Sequence, residues 1–203
     1  MVYHAVGKRC AVCFKDLDLP ISEKKCLTVL QKKGFSVVPV DIVVLARKCV
    51  GQAKYCRGAK LSEAPKVFDC SSFTKWLYGQ LGIWLPRRSI QQRSLGFRIL
   101  KDDLRAGDLV FVSGYVDYYL HDSADGVGHV GIATENMTVV HAANKKVNLI
   151  ESSFESFVDG GKFRGIRRFM PENERLYTLI TPPHREIEWS DDLRWIILQN
   201  LPR

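Results

Sequence analysis

The chain has 203 residues, 46% of them hydrophobic and 26% charged, which suits one well-buried domain with a small extension and excludes a mainly disordered polymer. The net charge of +8 is concentrated at one end: residues 1–60 hold 12 Lys/Arg against 4 Asp/Glu, and the remainder holds 18 against 18. A basic segment attracts anionic polymers or surfaces, but these basic residues do not interleave with aromatics as a nucleic-acid surface would. A solvated face is the plainer reading, and no nucleic-acid partner is expected. No stretch is long and apolar enough to span a bilayer. The N-terminal MVYHAVGKRCAVCFKD lacks the apolar core of a secretory signal. A cytoplasmic location is therefore expected, with export by a route that needs no signal as the alternative. Six cysteines without a signal suggest reduced thiols. Cys10 and Cys13 form a CxxC, with His4, Cys26, Cys49 and Cys56 as candidate further ligands. A structural zinc site usually shows a second close ligand pair, and this chain has none, so packed or exposed thiols are the preferred reading.

In chain order, SEKKCLTVLQKKG predicts a short helix, capped by Ser22, with Cys26, Leu27 and Leu30 on its apolar stripe and Gly34 at its end. VPVDIVVLARKCVG predicts another. Asp41 caps it, Val43, Val44, Ala46 and Val50 give apolar surface, and Gly51 stops it. After a loop comes FDCSSFTKWLYGQLGI. Phe73, Trp76, Leu77, Leu81 and Trp84 recur at helical spacing, with Gly82 and Pro86 marking the end. Cys70 then sits in the first turn, where the helix dipole is positive and favours a thiolate, so a lowered thiol pKa is expected. The plainer alternative is a buried first-turn cysteine that acts as a small apolar residue. From residue 107 the pattern turns to period two. Segments 107–112, 128–134, 138–143, 146–152 and 163–170 read as strands. Helices first and strands later argue for an α+β domain with helices packed on an antiparallel sheet. The tail holds one more amphipathic helix, with Leu193, Ile196, Ile197 and Leu201 on its packing face.

Two of the five histidines lie on one predicted hairpin, GHVGIATENMTVVHAA. With Thr134-Glu135-Asn136 as a three-residue loop and Asn136 in the left-handed position, residue 129 falls opposite 141. The two imidazoles then share a face, and a one-residue slip of the loop would separate them. A nucleophilic cysteine needs this set: one histidine to take the thiol proton and a second acceptor to orient that imidazole. The alternative is two unrelated strand histidines.

The blocks FDCSSF, LPRRSIQQ, GDLVFV, GHVGIAT and VVHAA resemble, in order and wording, the NlpC family of papain-like cysteine peptidases, which cleave bacterial cell-wall peptides. VVLARKCVGQAKYCRGA is similar to that family's helix followed by a Tyr-x-x-Gly-Gly element. The resemblance covers about residues 40–170. It implies a papain-like core, with Cys70 as nucleophile, His129 as base and His141 as the orienting residue. It also implies that Tyr55, Asp69 and Ser71 line the substrate cleft, at positions that bind a free peptide amine in some members. Tyr55 and the Cys70 backbone N–H are the implied stabilisers of the oxyanion. The expected partner is a peptidoglycan peptide or muropeptide fragment, cut at the D-glutamyl to diamino-acid bond, and no metal or organic cofactor is needed. The organisation expected is a basic N-terminal extension over 1–39, the catalytic domain over 40–170 and a helical C-terminal extension over 171–203. Oligomeric state is not legible.

The chain departs from the family pattern in places. Gly58-Ala59 replaces Gly-Gly, Arg57 replaces a common aromatic, and the connection from Ser113 to Val127 is long. Secretion signal and repeat wall-binding modules are absent from the sequence. The long connection, with Tyr115, Tyr118, Tyr119 and the acids Asp117, Asp122 and Asp125, is expected to wall the cleft and restrict it to small fragments. The alternative is a surface excursion whose tyrosines pack on the neighbouring helix. Two other functions are weighed: a papain-like amidase or acyltransferase on a non-wall substrate, and a catalytically silent binding module. In the lipid-acting branch of such folds the histidine precedes the cysteine, and here Cys70 precedes His129.

Overall fold

The computed structural model describes residues 1–201. In chain order the elements are β1 (Arg9–Val12), α1 (Glu23–Lys32), β2 (Ser36–Val38), α2 (Ile42–Cys49), β3 (Lys54–Tyr55) and β4 (Val67–Phe68). Next come α3 (Cys70–Leu81), α4 (Ser89–Arg93), β5 (Phe97–Ile99), β6 (Leu109–Val112), β7 (His129–Ala133) and β8 (Thr138–Asn144). The last are β9 (Asn148–Ser153), α5 (Phe154–Val158), β10 (Phe163–Arg168), β11 (Tyr177–Ile180) and α6 (Asp192–Leu198). They form two compact units. One holds residues 1–40, 78–84 and the chain from Met170 onward, and the other holds 41–77 and 85–169.

In the first unit β11 pairs with both β1 and β2, giving an antiparallel sheet in the order β1-β11-β2. Leu17, Leu30, Leu179, Leu193 and Ile197 form its core, so the apolar stripe expected on the tail helix does pack inward. These three strands are not visible as a pattern in the sequence. Each is four residues or fewer, and Cys10 finds its partner at Leu179; such pairing depends on context, not local propensity. Cys10, Cys13 and Cys26 are buried, and Cys10 and Cys26 belong to this core. Among the described residues no group of three or more His, Cys, Asp or Glu side chains is placed to hold a metal ion. The third helix stops at Leu81, not at Trp84. Gly82 takes φ +88, and a Cβ there would lie 2.6 Å from the backbone nitrogen of Ala11. Trp84 therefore leaves the helical face and is exposed.

The second unit is built on an antiparallel sheet in the order β5-β10-β6-β7-β8-β9. The five strands expected from period two are all present, with ends that move by one or two residues, and β5 joins them as a short edge strand. Asp41 caps α2 as expected, accepting from the N–H groups of Val43 and Val44 at 2.9 Å. Arg168 on β10 grips Asp108, at the start of β6, with two hydrogen bonds of 2.8 and 2.7 Å. Both side chains are buried, so each satisfies a charge that would otherwise be costly. No helix among the described residues is long and apolar enough to cross a membrane.

Candidate active site

The start of α3 places Cys70. Asp69 accepts a hydrogen bond from the Ser72 N–H at 2.8 Å, and its own N–H donates to the Ser72 hydroxyl at 2.9 Å. This reciprocal cap ends β4 and starts the helix at the cysteine. A buried pair behind it holds that first turn: the Gln92 amide donates to the carbonyls of Ser71 and Pro86 at 3.0 Å, and Thr74 donates to Gln92 at 2.8 Å. The Cys70 thiol points to the Gly128 carbonyl at 3.9 Å, so the helix N-terminus faces the start of β7.

The hairpin differs from expectation in detail but not in parity. Ile132 pairs with Val140 and Ala133 with Val139, which shifts the expected register by two residues. Thr134, expected in the loop, instead bonds across the hairpin, its N–H donating to the Thr138 carbonyl at 2.9 Å, and the left-handed residue is Met137 (φ +54), not Asn136. The cause is Thr134. Its hydroxyl accepts from the Asn136 N–H at 3.2 Å and bonds the Thr138 hydroxyl at 2.6 Å, so the turn begins one residue later. A shift of two keeps every side chain on its face. His129 and His141 become diagonal neighbours on one face, with Nε2 of His129 2.8 Å from Nδ1 of His141. Phe157 on α5 packs against both rings, at centroid distances of 5.5 and 4.8 Å.

Cys70, His129 and His141 line one open cleft of about 920 Å³ together with Tyr55, Asp69 and Ser71. All six residues singled out in the sequence thus meet at one place. Tyr55 and Ser71 are held by neighbours: the Tyr55 N–H donates to Asn148 at 3.0 Å, and the Ser71 hydroxyl accepts from Arg87 at 3.0 Å. Arg87 was not anticipated. Its guanidinium clamps both oxygens of Asp69, at 3.0 and 2.5 Å, and also donates to the Ala59 carbonyl. The Gly58 N–H adds a further bond to the same carboxylate. Arg87 stands in the quoted block LPRRSIQQ, but nothing local shows that it reaches back to Asp69.

The connection from Ser113 to Val127 is ordered by its own bonds. Tyr118 and Val127 form a bridge, Asp117 accepts from the Gly114 N–H, and Arg93 pairs with Asp125. Ser113, Gly114, Tyr115, Val116 and Tyr118 line the cleft, as expected of a wall. Tyr118 also lies under the Arg88 guanidinium, 5.0 Å from its ring centre. The three aspartates do not line the cleft. Asp117 and Asp125 serve the loop contacts already described, and Asp122 caps the short turn at Ala124, so they supply no charge for a substrate amine. Gly128 permits the close return, since a Cβ there would lie 2.5 Å from the Asp117 carboxylate and the Val116 carbonyl.

Burial reverses the expected thiol shift. It pushes the Cys70 thiol up to about 11, aided by the Asp69 charge, and the N–H groups of Val130 and Ser71 and the Arg87 charge offset this only in part. Burial and the neighbouring His141 hold His129 down at about 3, and burial alone holds His141 at about 4. Thiol and imidazoles are therefore neutral in the free cleft, and the field of the helix N-terminus does not outweigh desolvation. The sign gives a prediction. Alkylation of Cys70 by iodoacetamide, read by peptide mass spectrometry against exposed Cys56, should keep rising above pH 9.0, the ordinary thiol value. A rate that levels off near neutral pH would show instead a thiolate–imidazolium pair at rest.

Residues 52–164, more than half of the chain, match the family model described as NlpC/P60. The chain belongs to the NlpC/P60 family. Over 114 residues it is 38% identical to a probable endopeptidase of Corynebacterium glutamicum, covering 56% of this chain and 47% of that one. It is 32% identical to a gamma-D-glutamyl-L-lysine dipeptidyl-peptidase of Bacillus cereus, over 51% of this chain and 29% of the relative. The chain thus spans about half the length of the first relative and less of the second. A solved NlpC/P60 family structure from Bacillus cereus superposes with a TM-score of 0.55 at 24% identity, covering 64% of this chain and 40% of that one. The fold is the papain-like α+β arrangement of this family of endopeptidases and peptidoglycan hydrolases.

Proposed function

We propose that this NlpC/P60 chain hydrolyses an amide bond of peptidoglycan stem peptides or their fragments, at the D-glutamyl to diamino-acid bond. The observation that carries the reading is the 2.8 Å contact between Nε2 of His129 and Nδ1 of His141. With Nε2 so engaged, Nδ1 of His129 is the ring nitrogen left to take a proton, in the cleft that Cys70 lines. The Cys70 Sγ–H proton passes to Nδ1 of His129 as the sulfur attacks the carbonyl carbon. The tetrahedral oxyanion faces the N-terminus of α3, where the Cys70 N–H belongs to the helix's unpaired first turn, and Tyr55 borders the same space. His129 returns the proton to the departing amine, and water then cleaves the thioester. His141 holds the His129 ring throughout. Asp69, Tyr55 and Ser71 shape the substrate side.

Two observations favour a stem peptide. The Bacillus cereus relative is named for a gamma-D-glutamyl-L-lysine bond. The cleft lining also carries Arg57, Arg88 and Lys162, while its one carboxylate, Asp69, is neutralised by Arg87. A peptide with free carboxylates suits this lining better than a neutral or cationic one. The raised pKa of the half-buried Cys70 thiol is the one feature that favours a silent binding module. Digestion of purified muropeptides, read by mass spectrometry, separates the two. Hydrolysis should yield fragments cut at the D-glutamyl to diamino-acid bond, with KM rising about tenfold when the peptide carboxylates are amidated, the size of losing one charged hydrogen bond. Binding without new fragments would leave the module.

A further inference from the structure

We propose that Ser152 is a positioning residue that terminates the chain Cys70–His129–His141 and holds the His141 imidazole in the tautomer the proton transfer requires. The inference rests on the roles proposed above for Cys70 and His129. Ser152 lies on β9. His141 on β8 stands opposite Ile150, so Ser152, two residues further along β9, projects from the same face as its diagonal neighbour. Its hydroxyl oxygen is 3.1 Å from Nε2 of His141, on the far side of that ring from His129. Ser152 also lines the cleft.

The hydrogen positions follow from the proton count. When His129 takes the Cys70 proton on Nδ1, both of its nitrogens carry hydrogen. Its Nε2–H can then only donate, and the partner within reach is Nδ1 of His141. That nitrogen must offer a lone pair, so the His141 proton sits on Nε2 and donates to the Ser152 oxygen. In the reverse arrangement the Ser152 hydroxyl donates to Nε2, His141 donates from Nδ1, and the His129 proton is driven onto Nδ1, where it blocks the base. Only the first arrangement is compatible with a charged His129. Phe157 covers both rings, which leaves the serine oxygen as the acceptor the structure provides for Nε2–H. No proton leaves His141 in this scheme; Ser152 accepts a hydrogen bond and nothing more.

The test is nitrogen NMR of histidine-labelled protein, combined with kinetics of Ser152→Ala and Ser152→Thr. Wild type should show His141 protonated on Nε2. Ser152→Ala should show a mixture of His141 tautomers and a kcat about tenfold lower with KM unchanged. Ser152→Thr keeps the hydroxyl and should restore both. A wild-type His141 protonated on Nδ1 would overturn the proposal. So would Ser152→Ala with wild-type kcat, or a loss of kcat with the His141 tautomer unchanged. Failure of the underlying reading gives a different result: Cys70→Ala would then keep its turnover, whatever Ser152 does to the ring.

Discussion

Cys70→Ala should lower the kcat of muropeptide hydrolysis by about 10⁴- to 10⁶-fold, the range seen when one member of a catalytic triad is removed. The fold should survive. The sulfur's contacts are weak backbone ones, with the Gly128 carbonyl and the N–H groups of Val130 and Ser71, and α3 is started by Asp69 and Ser72, not by the cysteine. His129→Ala should cost nearly as much, because without a base the half-buried thiol stays neutral. The double variant should be no worse than either single one, since residues that act as a unit are not additive. His141→Ala removes orientation and not the base, so a smaller loss, about 10²- to 10⁴-fold, is expected. The measurement is release of cleaved peptide at saturating substrate, with circular dichroism confirming the fold. Wild-type turnover by Cys70→Ala would reject the mechanism, and full activity in His141→Ala would reject its role alone.

The parts of this site that could be read in the sequence are those fixed by local rules. An acidic cap before an apolar helical run puts Cys70 in a first turn. Side-chain alternation puts His129 and His141 on one face of the hairpin, and it does so even though the turn lies one residue later than expected. The sequence misled at Met137 because Asn tolerates the left-handed region better, while the Thr134 hydroxyl decided where the turn begins. It misled on the Cys70 pKa because the helix dipole is a local feature and burial is not. Arg87, Ser152 and Phe157 reach the site through contacts set by the whole fold. Ser152 alone left a trace, since period two along 146–152 sets it on one face of β9. The sheet of the first unit was hidden for the same reason, its strands being short and its pairings distant in the chain.

Arg87→Ala should destabilise the protein by about 2–3 kcal/mol, less than the about 3–5 kcal/mol expected for breaking a fully buried pair. The discount reflects geometry: the Arg87 side chain is 43% exposed, while that of Asp69 is 9% exposed. Removing the guanidinium leaves the carboxylate buried with only the N–H groups of Ser72 and Gly58 and the Ser71 hydroxyl. Burial by itself raises the Asp69 pKa, but the Arg87 and Ser72 hydrogen bonds and the Arg87 charge outweigh it and hold it below the ordinary 3.8. A carboxylate held low in the folded state stabilises it above the unfolded value, and that contribution disappears as pH falls through the folded value. In Arg87→Ala burial is opposed by fewer hydrogen bonds, so the Asp69 pKa should rise from its wild-type position, and the stability gap between variant and wild type should narrow on acidification as the carboxyl takes a proton. The decisive comparison is the double variant Arg87→Ala with Asp69→Asn. It removes the stranded charge but keeps an acceptor for the helix cap, so it should be more stable than Arg87→Ala alone in urea unfolding. A double variant that is less stable would mean that Arg87 acts through its bond to Ala59 and not through Asp69. The same pair bears on substrate choice. With both Asp69 oxygens already held by Arg87, Asp69→Asn should slow free-amine and acylated peptides alike. A loss confined to free-amine peptides would instead assign the carboxylate to a substrate ammonium.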